Sequence, residues 1–434
     1  MLKTRNWILT FLLSGFLFSN SWAVESGITP QITVTQLNDY LTFFYDGRNT
    51  KPTDPDNWLF GSALKLGIGS YAIHQGNKAV IYDTFLSLEH ARWIRNYLEQ
   101  QMGIKHITVI QSHWHLDHIA GNEIYKDCDI VSLKKTREIM KEKQAALESG
   151  AEWGPPEINP MIAPNAVFET RMDMYVGDIK LELHQFNIHS PDANLIYLPK
   201  DKILLAGDAL EDTVTYMVSD HVPELPTHLK ELQRLKAMDI AKIYPNHGNP
   251  NVIRNGGYNK TFIDATINYI TRMIQRVKEP NYLQITLEDI IGDSLEKGWV
   301  TLFEPYRVVH EANLKYVHDY YANKPLPDLG TSEDTAQCAN VDSFSQTFNI
   351  PCVNVNGTLF STILKIESNN TRFTLQPNDT RVITNPQATT CATYNNSGVH
   401  FPCVYVGRSN KQWLKLKPAN DSNGLGFDLA DFGQ

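Results

Sequence analysis

The sequence predicts an α/β domain followed by an all-β domain, and three observations carry that prediction. From about residue 30 to 255, short apolar runs alternate with stretches of helical periodicity, as expected of strands and helices in a layered α/β sandwich. A dense polar group, His113-Trp114-His115-Leu116-Asp117-His118, directly follows one of those runs. Beyond residue 330 the composition shifts to Thr, Asn, Val and Phe, and an internal repeat of about fifty residues begins.

The elements follow in order. Lys3 and Arg5 precede the apolar run Trp7 to Phe18, and Ser21-Trp22-Ala23 supplies small residues for a signal peptidase. Residues 1–23 therefore read as a secretory signal peptide, too short in their apolar part for a membrane span. The mature chain is expected to start at Val24, to be periplasmic or secreted, and to hold no integral membrane segment after cleavage. Ala79 to Tyr82 reads as a strand closed by Asp83. Ser87 to Gln101 carries apolar residues at helical spacing, with Gly103 as its stop. Lys105 to Ile110 is the strand that delivers the histidine group. Lys134 to Ser149 reads as helix and is broken by Gly150 to Pro156. Ile179 to Leu183, Asn194 to Leu198, Lys202 to Ala206 and Ile240 to Tyr244 read as strands. Thr261 to Val277 and Glu311 to Tyr321 read as helices in an extension covering 259–323 of a catalytic domain that spans 24–323. The Pro-rich stretch from Lys324 opens a linker over 324–334.

Residues 335–434 form the second domain. Cys338-Ala339 and Cys391-Ala392 open its two copies, and Ile350-Pro351-Cys352-Val353 matches Phe401-Pro402-Cys403-Val404. The pattern reads as β-hairpins in a small sandwich. In an oxidising compartment the four cysteines are expected to form disulfides, with pairing inside each repeat the simplest arrangement. Cys128, alone in the first domain, reads as a small buried hydrophobe.

Charge narrows the partners. Lys and Arg number 39 against 48 Asp and Glu, a net charge of −9, so no basic stripe is available for phosphates and nucleic acid is excluded. A small-molecule substrate is expected. The repeat domain is the candidate contact for a surface, glycan or protein partner.

The histidine group has the chemistry of a metal site. Neutral imidazole and carboxylate suit zinc and other borderline divalent metals. His113 and His115, two apart on extended or turning backbone, aim the same way, while Asp117 and His118 serve a second point. His189, Asp208 and His247 each follow a predicted strand, and residues at strand tips converge on one edge of a sheet. Asp83 also ends a strand.

In this order the motifs resemble the metallo-β-lactamase superfamily: His-x-His-x-Asp-His at 113–118, His189 in His-Ser-Pro-Asp, Gly207-Asp208, and His247 in Asn-His-Gly. The resemblance covers about residues 30 to 255. It implies a four-layer αβ/βα sandwich with two zinc ions per chain, iron or manganese being the alternatives. His113, His115 and His189 would hold the first ion, Asp117, His118 and His247 the second, and Asp208 would bridge them. Asp83 would support the shell. Catalysis would belong to a metal-bridging hydroxide, with Asp117 and Asp208 as the protein's catalytic residues. Ligand sets with a bridging Asp resemble those of glyoxalase II-like thioesterases, lactonases and esterases, so Asp208 points to an ester, lactone or thioester. Glu211 stands where acyl-homoserine lactonases, which the ligand pattern also resembles, have tyrosine, a departure that counts against that specific activity. The alternatives are a periplasmic β-lactamase acting on β-lactam amides, or a secreted binding or surface module with a vestigial metal site. Tyr216, Glu211 and Trp153 are candidates to line the substrate groove.

Overall fold

The computed structural model describes residues 23, 25–49, 54, 56–327 and 329, together with 338–342, 347–367, 372–375, 380–382, 391–395, 398–406, 412–419 and 426–433. The signal-peptide reading lies outside the described residues except at Ala23. Among the described residues, no helix is long and apolar enough to cross a membrane. The chain divides into two compact units, Met1–Asn323 and Lys324–Gln434.

The first unit is built on two sheets. Seven strands lie side by side in chain order: Thr33–Asn38, Leu41–Asp46, Ile68–Gln75, Lys78–Tyr82, His106–Ile110, Asp129–Leu133 and Ala166–Phe168. The first four are antiparallel neighbours and the remaining pairs are parallel. The second sheet orders Lys242–Pro245, Ile203–Gly207, Ser190–Leu198, Ile179–Ile188 and Arg171–Val176, with only the first pair parallel. The continuous apolar run of Ile203–Gly207 is buried along its whole length, the pattern of a strand covered on both faces.

Helices close both outer faces. The helix Leu88–Asn96 begins where the Ser87 hydroxyl accepts from the His90 N–H, satisfying one of the orphan donors of a first turn. Its Ala91 and Ile94 pack in one core with Ile81, Val109 and Ile130 of the first sheet. The helix Leu225–Ala237 lies on the strand Ile179–Ile188 of the second sheet. Helix, sheet, sheet and helix thus form the αβ/βα sandwich. Hydrogen bonds join its halves: the hydroxyls of Tyr82 and Tyr71 donate to the carbonyls of Asn194 (2.5 Å) and Pro245 (2.6 Å), and the Asn194 N–H to Ser112 O (2.7 Å).

Some elements differ from the sequence reading. The helix expected over 134–149 is two helices, Lys134–Glu142 and Gln144–Ser149, because Lys143 leaves helical dihedrals. The strands Thr33–Asn38, Leu41–Asp46 and Ile68–Gln75 lack a clean alternation, since the second is buried at every position. Cys128 is half-buried rather than fully so, and burial raises its thiol to about 11.

The second unit is a closed barrel, not a sandwich. Thr347–Val355, Thr358–Ile366, Arg372–Leu375, Gly426–Gly433, Gln412–Pro418 and Gly398–Val406 pair in succession. Two short strands, Ala339–Asp342 and Ala392–Asn395, fill the last gap. Each lies antiparallel to the next strand of its own repeat and parallel to the equivalent strand of the other. Closure leaves no exposed edges in the ring, which two separate sheets would have kept. Phe348, Leu364, Phe373, Phe401 and Leu416 fill the core.

The same exchange overturns the expected disulfides. Ala339 pairs with Val404 and Val353 with Ala392, which sets Cys338 beside Cys403 and Cys352 beside Cys391. The bonds are Cys338–Cys403 and Cys352–Cys391, each with Cα atoms 4.8 Å apart. They join the repeats rather than closing each one. Non-reducing peptide mapping should recover these two cross-repeat pairs; recovery of Cys338 with Cys352 would contradict the barrel. Replacing Cys403 by Ser should cost the barrel about 2–4 kcal/mol of unfolding free energy in denaturant titrations.

Candidate metal centre

The groove between the two sheets collects the tips of their strands. Asp83 follows Tyr82, His189 follows Ile188, Asp208 follows Gly207, and His247 lies two residues beyond Pro245. The chain leaving Ile110 turns through Ser112 and His113, and His115 then caps the short helix Leu116–Ile119, which carries Asp117 and His118. Two groups result. His113, His115, His189 and Asp208 place ligand atoms within 4.8 Å of one another, and so do Asp117, His118 and His247. All seven candidate ligands from the sequence come together here.

Asp208 joins the two groups. Its Oδ2 lies 3.0 Å from His118 Nε2, 3.5 Å from His247 Nε2, and 3.7 Å from both His113 Nε2 and His189 Nε2. His189 Nε2 also faces His115 Nδ1 at 3.0 Å, and His247 Nε2 faces Asp117 Oδ2 at 3.1 Å. His113 Nε2 and Asp208 Oδ1 are buried with no hydrogen-bond partner. Such orphans are rare because each costs about 1–3 kcal/mol. A set of convergent imidazole and carboxylate atoms, two of them bare, is the donor set of a divalent metal.

Outer hydrogen bonds fix four of the five rings, while His115 is held by ring contacts with Trp114 and Trp153. Asp83 accepts from the Ser112 N–H (2.7 Å) and from the Asn246 amide (2.7 Å), and faces His118 Nδ1 at 2.9 Å. His113 Nδ1 faces the Ser112 hydroxyl at 2.9 Å, and His247 Nδ1 donates to the Gly67 carbonyl at 2.7 Å. His189 Nδ1 faces Tyr216 O at 3.2 Å and Glu211 Oε1 at 3.4 Å. These contacts leave the opposite ring nitrogens directed at the centre. Ser112 and Asn246 were not picked out by sequence reasoning, since a lone Ser or Asn carries no pattern. Of the groove candidates, Trp153 stands against the rings of His115 (4.7 Å) and Trp114 (5.3 Å) and is 42% exposed. Glu211 is buried and serves His189, while Tyr216 acts through its backbone.

The backbone is held in costly conformations at this site. Asp83 and His189 adopt φ of +70° and +65°, values rare outside glycine and typical of functional positions. Gly207 has φ +55°, and a Cβ there would come 3.0 Å from the Tyr82 hydroxyl and 3.1 Å from Ser112 Cβ. A side chain there would crowd both neighbours and would also be strained by the positive φ.

Charge divides the histidines. Burial pushes His113 and His115 well below the ordinary imidazole value, and neighbouring imidazoles push His113 further. Burial also opposes charge on His118 and His247. For them the carboxylates win: Asp208, Asp117 and Asp83 carry His118 well up, and Asp208 and Asp117 carry His247 to about 9. Asp117 and Asp208 are held low by the same pairs despite their burial. In the metal-free protein these shifts favour the protonated forms of His118 and His247 near neutral pH, so an incoming cation is expected to displace protons. Calorimetry in buffers of different ionisation enthalpy should detect proton release on metal loading, and affinity should climb as pH rises towards 9. Asp83→Ala should weaken metal binding about 10–100-fold in equilibrium titrations, because it frees the His118 ring.

Residues 66–247 match the sequence model of the metallo-beta-lactamase superfamily. No curated protein matches the chain. Among solved structures, a metallo-beta-lactamase from Pontibacter korlensis is 18% identical with a TM-score of 0.43, over 56% of this chain and 99% of its own. The DIM-1 metallo-beta-lactamase, in a crystal exposed to ceftazidime, is 16% identical with a TM-score of 0.43, over 56% and 99%. The VMB-1 protein is 15% identical with a TM-score of 0.42, over 56% and 98%. Residues 66–247, with the ordered histidine and aspartate motifs within them, form a domain of the metallo-β-lactamase superfamily.

Proposed function

We propose that this chain is an exported dinuclear zinc hydrolase that cleaves an ester, lactone or thioester bond of a small molecule. The observation that carries this reading is the position of Asp208 Oδ2, within 3.0–3.7 Å of four imidazole nitrogens drawn from both ligand groups. A single carboxylate shared in this way suits two cations held a short distance apart. His113, His115 and His189 would hold one, Asp117, His118 and His247 the other, with Asp208 between. Bound there, a pair of divalent ions supplies activated water at neutral pH and polarises the scissile carbonyl.

The chain's own residues do the rest. Asp83, Glu211 and the carbonyls of Gly67 and Tyr216 orient the imidazoles, so little reorganisation accompanies reaction. Asp117, whose side chain is 15% exposed beside His247, is the ligand most open to solvent and can pass a proton between the site and a departing group. Trp153 and Trp114 wall the His115 side of the site. No Ser or Cys nucleophile is required, and the half-buried Cys128, whose thiol is raised by burial, is unsuited to the role.

Export is supported by the two disulfides, which persist in oxidising compartments, and by the N-terminal sequence pattern. The barrel unit carries none of the metal-ligand groups found among the described residues, so an attachment role towards a surface, glycan or protein fits it. Deleting residues 331–434 should leave turnover unchanged and abolish localisation; unchanged localisation would remove that role.

A panel of lactones, thioesters, phosphoesters and a chromogenic β-lactam, assayed with zinc-loaded protein, tests the bond type. Turnover of the carbon esters is expected, and hydrolysis of the β-lactam alone would reverse the assignment. Asp208→Ala and His115→Ala should each abolish hydrolysis and lower bound zinc measured by mass spectrometry. A wild-type zinc content below about one per chain would refute the dinuclear reading.

A further inference from the structure

The segment Glu211 to Val218 between the strand Ile203–Gly207 and the turn at Ser219 has no regular secondary structure, yet all of it except Tyr216 is buried. Buried irregular backbone has no ladder to satisfy its polar groups, so other elements must supply the partners. The Asp212 backbone is met by His247 O (3.0 Å) and Arg48 Nη2 (3.3 Å), and several further partners come from the helical extension. The Thr301 N–H donates to Asp212 Oδ1 (2.7 Å), and the Thr213 hydroxyl donates to Thr301 O (2.7 Å) and accepts from the Phe303 N–H (2.9 Å). Further along, Asn313 of the helix Tyr306–Tyr321 grips the segment twice: its Oδ1 accepts from the Met217 N–H (2.8 Å) and its Nδ2 donates to Thr215 O (2.8 Å). Asn313 is fully buried and is itself fixed by the Tyr269 hydroxyl (3.0 Å), which reaches His310 Nδ1 (3.0 Å).

The residue between the two gripped groups is Tyr216, whose carbonyl faces His189 Nδ1, and whose N–H donates to Glu211 Oε1 (2.9 Å). Glu211 in turn faces His189 Nδ1, with the Tyr306 hydroxyl 3.4 Å from its other oxygen. Both groups that aim His189 therefore belong to a segment whose position is set by the extension.

We infer that the helical extension is part of the metal centre's support, and that Asn313 is a positioning residue that acts on His189 through the backbone of Thr215, Tyr216 and Met217. The inference rests on reading His113, His115, His189 and Asp208 as one metal group. The amide is needed as both donor and acceptor: the Asn313→Asp change would keep the bond to Met217, lose the one to the Thr215 carbonyl and require the Tyr269 hydroxyl to reverse its role, whereas Asn313→Leu would lose all three.

The test is a titration of metal-free full-length protein with cobalt(II), followed by absorption, on Asn313→Asp, Asn313→Leu and Arg272→Ala. Arg272 pairs with Asp293 in the same extension, away from the segment (2.6 Å), and its variant controls for general loss of stability. Both Asn313 variants should bind one of two cobalt ions about 10–100-fold more weakly and keep the other near wild-type affinity. Arg272→Ala should lower the melting temperature and leave both affinities unchanged. The His189 Nδ1 proton resonance of zinc-loaded protein should move in Asn313→Asp. Wild-type affinity for both ions in Asn313→Asp, the milder change, would overturn the inference, as would an equal loss in Arg272→Ala. A wild-type protein that binds no metal pair would instead sink the hydrolase reading, a result distinguishable from either.

Discussion

The first unit is organised around the burial of five imidazoles and several carboxylates in one groove. Burying charge in protein is costly unless each charge is paired and hydrogen-bonded. Asp208 meets that demand at the centre, since its Oδ2 approaches four imidazoles at once. Asp83 meets it one layer out, tying His118 to the backbone of Ser112 and to Asn246. Even so, His113 Nε2 and Asp208 Oδ1 stay bare. The protein chain alone does not complete the arrangement; a divalent cation would.

The two sheets exist in the relation this centre requires. Tyr82 and Tyr71 bridge them below the strand tips, and Gly207, at φ +55°, lets them close where a Cβ would crowd Tyr82 and Ser112. The strain at Asp83 and His189 is sustained by the same packing. Dihedrals of this kind persist when surroundings over-determine them, and here the surroundings reach beyond the two sheets. The helices after residue 259 satisfy the buried segment that orients His189, so they contribute to the site without lending a ligand.

Much of this was legible in the chain. His113 to His118 is a local motif, and local motifs survive in one dimension. The strand tips at Asp83, His189, Asp208 and His247 were legible because apolar runs mark strands and polar residues end them. Other features were not. Ser112, Asn246 and Asn313 act through hydrogen bonds to residues far along the chain, and no periodicity marks such a residue. The early strand Leu41–Asp46 is buried on both faces, which removes the alternation that identifies a half-buried strand.

The repeat domain draws the line most clearly. By itself the sequence determined that the C-terminal part is β-rich and able to form two disulfides, because composition and cysteine count are properties of the chain. Only the tertiary structure decided that the repeats exchange strands, close a barrel and pair their cysteines across the duplication. The same division holds at the metal centre. Residue types and their order determined the donor set, whereas the helical support of His189 depended on contacts between segments about a hundred residues apart. Such contacts are chosen by the packing of the whole fold, where each buried polar group must find a partner wherever the chain brings one.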